Sequence, residues 1–95
     1  MPILQIEHSV RDFASWKAAF DGDPVGRERG GVRSYRILRP VDDPAYVAVD
    51  LEFETIAEAE SFLVALGQLW GRAESEGLMA SPRARIVEVV ESAEH

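Results

Sequence analysis

Between Val10 and Phe20 the large apolar side chains fall at Phe13, Trp16 and Phe20, the i, i+3, i+7 spacing of one helical face. Three aromatics on one face need a sheet to cover them. Ahead of this stretch, Ile3 to His8 alternates Leu4, Ile6 and His8 against Ile3, Gln5 and Glu7, which predicts a strand short enough for the centre of a small sheet. Asp12 stands where an N-cap belongs, immediately before Phe13, and its carboxylate complements the positive helix end. The first helix is expected to run to about Phe20. From Asp21 to Gly31 the chain is turn-rich, with Asp23 and Pro24 set to cap one short helical turn that Gly30 ends.

Two further strands are predicted at Val32 to Arg39 and Tyr46 to Phe53, joined by Pro-Val-Asp-Asp-Pro-Ala, so a hairpin is the natural connection. In the second of these, Val47, Val49, Leu51 and Phe53 make one apolar face and Tyr46, Ala48, Asp50 and Glu52 the other. Thr55-Ile-Ala-Glu58 fits the capping box and opens a second helix with the stripe Ala59, Phe62, Leu63 and Leu66. Gly67 and Gly71 each weaken that helix by about 1 kcal/mol relative to alanine, so a bend or break is expected before a further helical piece from about Gln68 to Glu76, stopped by Gly77. The last strand is placed at Arg83 to Glu91, after Pro82, with a polar tail from Ser92 to His95. Within it Ala84, Ile86 and Val90 compete with Val87 and Val89 for the core, and periodicity leaves the choice open.

The order β-α-β-β-α-β predicts an α+β, ferredoxin-like split βαβ arrangement, with both helices on one face of a four-stranded antiparallel sheet. The other sheet face is then uncovered. At 95 residues the chain, read as a single domain over 1–95, buries only about 60–65% of its unfolded surface, so packing two such faces around a two-fold axis would help to stabilise it. A homodimer with a cavity between the sheets is the expected assembly.

Charge and composition exclude several classes. A net charge of −7 repels phosphate backbones. The cluster Arg27, Arg29, Arg33, Arg36 and Arg39 is interrupted by Asp21, Asp23, Glu28, Asp42 and Asp43 and carries no aromatic interleaving for base stacking, so no nucleic-acid partner is expected. No run approaches the roughly 18 apolar residues of a membrane span, and the N-terminal Met-Pro-Ile-Leu-Gln-Ile-Glu-His lacks the basic and long apolar regions of a signal peptide. With no cysteine there is no disulfide framework or thiolate metal site, and a cytoplasmic location is expected. Nine arginines against one lysine, Lys17, and no asparagine suit a GC-rich bacterial genome.

Among candidate chemical groups, His8 is the one suited to acid–base work near neutrality if it faces a cavity; otherwise it caps the strand end or bonds the start of the first helix. Asp50, mid-strand and opposite the apolar stripe, needs solvent, a ligand or an arginine such as Arg36 or Arg33. Tyr35, Tyr46 and Trp70 could line an aromatic pocket or simply pack, whereas Trp16, on the stripe with Phe13 and Phe20, reads as core. Leu78 and Met79 could close a pocket or plug a sheet edge. Asp21-Gly-Asp23 begins like a calcium loop, but Val25 and Val32 stand where later ligands belong, so no metal site is expected. Gly26-x-x-x-Gly30-Gly31 lacks the strand–loop–helix setting of a phosphate loop, and no Ser, His and acid grouping has motif context.

The pattern His8-x-Val10-x-Asp12-Phe13-x-x-Trp16-Lys17-x-x-Phe20, followed by Gly31-Val32-Arg33-Ser34-Tyr35-Arg36, Asp42-Asp43-Pro44 and Leu51-Glu52-Phe53, resembles small proteins of the dimeric α/β-barrel superfamily. Its better-known members are the antibiotic-biosynthesis monooxygenases and polyketide cyclases. The resemblance implies a ferredoxin-like protomer, a barrel formed by two protomers, and a ligand pocket between sheet and helices or at the barrel mouth. The haem-degrading branch uses Asn, Trp and His, and this chain has no asparagine and only His8 and His95, so haem chemistry is not implied. The implied function is binding of a small apolar or aromatic metabolite, with cofactor-free monooxygenase- or cyclase-like chemistry assisted by His8 and with Tyr35, Arg36, Tyr46, Asp50 and Trp70 around the ligand. The alternative is a non-catalytic ligand-sensing or structural dimer. An ACT-like regulatory module shares the element order but usually accompanies another domain.

Overall fold

The computed structural model describes residues 1–75, 77 and 79–95, and the side chains of these except at 73–75 and 81. The elements are β1 (Pro2–Val10), α1 (Phe13–Asp21), β2 (Ser34–Leu38), β3 (Tyr46–Glu52), α2 (Ile56–Ser75) and β4 (Met79–Glu88). The strands pair antiparallel in the order β2-β3-β1-β4, the split βαβ topology. The expected α+β ferredoxin-like fold is therefore the one observed.

β1 is central, and its alternation is complete: Pro2, Leu4, Ile6, His8 and Val10 are buried while Ile3, Gln5, Glu7 and Ser9 are half-buried on the other face. Beside it Val47, Val49, Leu51 and Phe53 of the β3 segment point the same way, and Ala59 and Phe62 of α2 close over them. Asp12 caps α1 by accepting the Ser15 N–H at 3.1 Å, and Ser15 Oγ donates to the same carboxylate. The second cap forms in full: the Glu58 N–H donates to Thr55 Oγ1 at 3.1 Å and the Thr55 N–H donates back to Glu58 Oε1 at 3.2 Å.

Several boundaries differ from the sequence expectation, and β1, expected over Ile3 to His8, extends over Pro2–Val10. α2 runs unbroken through Gly67 and Gly71, because both glycines face open space on a helix held by its buried stripe. Residues to Ser75 continue this helix, while Glu76 lies outside the described residues. The segment from Asp23 to Gly30 is a chain of turns in which one helix-like turn closes at Gly30, whose N–H donates to the Gly26 carbonyl at 2.9 Å; Asp23, at φ 53, accepts the Arg27 N–H at 2.8 Å, and Gly26 and Gly31 also take left-handed backbone. β2 is shortened at both ends. Finally, β4 begins at Met79 and ends at Glu88. Pro82 does not stop it, since the strand bulges there: Arg83 pairs with Glu7 and Ala80 with Ser9, leaving two residues opposite His8. Ala84 and Ile86 pair with Ile6 and Leu4 and so share the helix side, Val87 takes the open side, and Val89 and Val90 lie beyond the strand, exposed.

Candidate functional site

Between the sheet and the helices lies a cavity of about 180 Å³. Its floor is Ile6 and His8 of β1 with Val49 and Leu51 of β3, and its walls are Trp16 and Phe20 of α1, Val25 and Arg27 of the connecting turns, and Leu66, Leu69 and Trp70 of α2. Met79, buried at the start of β4, adds to the lining, while its neighbour Leu78 lies outside the described residues. The cavity exists because α1 stands off the sheet: none of its residues is fully buried. Trp16 was expected as core. It packs against Phe13 and Phe20 with ring centroids 5.8 and 5.2 Å away, but its half-buried indole forms a cavity wall rather than a filled interior.

His8 is the one buried polar residue among those described, at 2% exposure. Its ring meets Trp16 edge-on at 5.9 Å. Nδ1 lies 3.0 Å from the Ser9 carbonyl oxygen, which only accepts, so the proton is assigned to Nδ1 and Nε2 carries the free lone pair. Burial pushes the imidazole below its ordinary pKa of 6.5, opposed in part by the Ser9 bond, so the ring is neutral at pH 7. A neutral histidine with its acceptor nitrogen free is suited to taking a proton from a bound ligand.

At the other end of the aromatic wall is Arg27. Its side chain is only about one-fifth exposed (19%), with the guanidinium 4.0 Å over the Phe20 ring and 5.1 Å from that of Tyr35. Nη1 donates to the Phe20 carbonyl at 2.7 Å and lies 3.5 Å from the Asp23 carboxylate. Sequence reasoning passed over this residue, which reads as one of five arginines in a turn-rich stretch. The one local signal is its i+4 spacing from Asp23.

The remaining candidates separate. Trp70 lines the cavity and Tyr35 borders it, edge-on to Phe20 at 5.2 Å and 46% exposed. Arg36, Tyr46 and Asp50 lie on the opposite face of the sheet, so the expected grouping of Tyr35, Tyr46 and Trp70 in one pocket is not formed. Arg36 Nη2 donates to Asp50 Oδ2 at 2.8 Å, the pairing anticipated for that carboxylate. Tyr46 Oη donates to Glu7 Oε1 at 3.0 Å, and desolvation, then that bond, raises the phenol's pKa. Of these groups Glu7 and Asp50 line a charged hollow with Gln5, Leu38, Arg83 and Arg85, on the sheet face that the protomer leaves uncovered. Among the described residues no group of three or more His, Asp or Glu is placed to hold a metal ion, and no helix is long and apolar enough to cross a membrane.

No protein-family model and no curated protein matches the sequence. Solved structures do. SnoaB, a cofactor-independent oxygenase from Streptomyces nogalater, superposes with a TM-score of 0.76 at 12% identity, over 99% of this chain and 97% of that one. The fold is that of the antibiotic-biosynthesis-monooxygenase-like proteins. A candidate antibiotic biosynthesis monooxygenase from Bordetella bronchiseptica gives a TM-score of 0.72 at 19% identity, over 95% of this chain and 98% of that one. A dimeric ferredoxin-like protein from an uncultured marine organism gives 0.65 at 12%, over 97% of each chain. At these identities the monooxygenase-like likeness is one of architecture, and the side chains of the cavity must be judged on their own chemistry.

Proposed function

We propose that this chain is a single-domain, cytoplasmic homodimer that binds a small, largely apolar or aromatic metabolite in the cavity between sheet and helices. Its chemistry on that ligand is monooxygenase- or cyclase-like and needs no cofactor, with His8 Nε2 as the proton acceptor. The carrying observation is His8 itself: a neutral imidazole shut into an apolar cavity, with Nδ1 tied to the Ser9 carbonyl. Oxygen insertion of this kind places one atom of O₂ in the substrate and the other in water, so the two electrons come from the substrate. A base that removes its proton makes those electrons available. The cofactor-independent oxygenase of the same fold supports that reading. The dimer is supported by the uncovered sheet face, with Ile3, Leu38 and Val87 among its charged groups, and by the dimeric neighbour.

Native mass spectrometry of the freshly purified protein tests assembly and ligand together; a dimer carrying extra mass is expected, and a bare monomer would remove the barrel. Oxygen uptake with a panel of hydroxylated aromatics then tests the chemistry. Uptake lost in His8→Gln, with ligand binding retained, is the expected result. Binding without turnover in either protein would leave the ligand-sensing dimer.

A further inference from the structure

The cavity is lined mostly by apolar side chains, and where Arg27 enters its wall the guanidinium has donors to spare. It has five N–H donors. Among its contacts one is used at hydrogen-bond distance, by the Phe20 carbonyl. The Asp23 carboxylate stands off at 3.5 Å and its Oδ1 already accepts the Arg27 backbone N–H at 2.8 Å. The cation is four-fifths buried, stacked on Phe20 and beside Tyr35, and among the described residues no fully buried side-chain nitrogen lacks a partner, so its spare donors are those that solvent, or a ligand in its place, still reaches. No group among the described residues takes them up, so a ligand anion can.

We infer that the cavity takes a small aromatic carboxylate whose carboxylate group is received by Arg27. Size and shape agree. The volume of about 180 Å³ slightly exceeds the roughly 150 Å³ apolar cavity that accommodates one benzene ring, which limits the occupant to about one substituted ring. The ring contacts run from His8 to Trp16 to Phe20 to Arg27, so a flat ligand lies along an aromatic wall with a base at one end and a planar, bidentate donor at the other.

This inference rests on the reading of the cavity as a ligand site, and its test keeps the two apart. The chain's two tryptophans both line the cavity, so their indole N–H signals in a ¹⁵N NMR spectrum report occupancy directly. The probes are 4-chlorobenzoate and its neutral counterpart, 4-chlorobenzyl alcohol, titrated into the wild-type protein and into Arg27→Met. Both probes should shift the indole signals of the wild type, the carboxylate with about tenfold or greater affinity, the worth of one charge-assisted hydrogen bond. Arg27→Met should bring the two affinities together. Equal affinities in the wild type, or a preference that survives Arg27→Met, would overturn the assignment while leaving the cavity a binding site. Indole signals moved by neither probe would overturn both. If Arg27→Met does not fold, the wild-type comparison repeated with Arg27→Lys decides: a preference undiminished in the lysine variant refutes bidentate capture.

Discussion

Replacing Gly67 and Gly71 together by alanine should stabilise the protein. Both lie inside α2, and a Cβ built at either position meets no atom within 4 Å, so the substitution costs nothing in packing. What remains is the intrinsic preference of alanine over glycine in a helix interior, about 0.8–1.0 kcal/mol per site, or close to 2 kcal/mol for the pair. With a urea m-value of about 1–2 kcal/mol/M for a small domain, the unfolding midpoint should rise by about 1–2 M with the slope unchanged. Equilibrium urea unfolding followed by far-ultraviolet circular dichroism reads both numbers, at matched protein concentration because a dimer's stability depends on it. An unchanged or lowered midpoint would refute the argument. It would mean that α2 is not continuous there, or that something packs against the bare backbone.

Two further predictions follow from the core and the cavity floor. A Cβ at Gly30 would stand 2.5 Å from the Phe62 ring and 3.2 Å from the Gly26 carbonyl, and that ring is held against Phe53, so Gly30→Ala should destabilise by about 1–3 kcal/mol in the same assay. His8 gives a pH dependence: with its folded pKa pushed below 6.5, the unfolded chain binds more protons in the window between the two values. Stability should therefore fall as pH drops below about 6.5 and stop falling through this group once pH is under the folded value. The contribution is at most one proton, about 1.4 kcal/mol per pH unit, and comparing wild type with His8→Gln by thermal unfolding from pH 7 to 4 isolates it; identical profiles would show that His8 is not buried neutral.

Much of the fold was legible because the residues that decide it are locally consistent. Val47, Val49, Leu51 and Phe53 alternate without exception and all are buried; Asp12 and the Thr55–Glu58 pair mark helix starts by a mechanism that needs only neighbouring residues. The cavity was not legible in the same way. Periodicity shows that Phe13, Trp16 and Phe20 face the sheet, but the distance at which α1 settles depends on tertiary contacts such as Phe20 with Tyr35, which carry no sequence signature. Arg27 was hidden for the same reason, since its environment is made by a residue seven positions earlier and by β2. The last strand resisted because its alternation changes phase: Met79 points to the helix side and so do Ala84 and Ile86, an odd step that no single period-two reading accommodates.

That odd step gives β4 a division of labour. The residues before it and after it are held in register by separate stretches of β1, Ser9 and Val10 on one side and Pro2 to Glu7 on the other. One residue removed at positions 81–82 would leave every paired position where it is and straighten only the backbone opposite His8. The surroundings of the buried imidazole can therefore change by insertion or deletion, as well as by substitution, without disturbing the sheet that supports it.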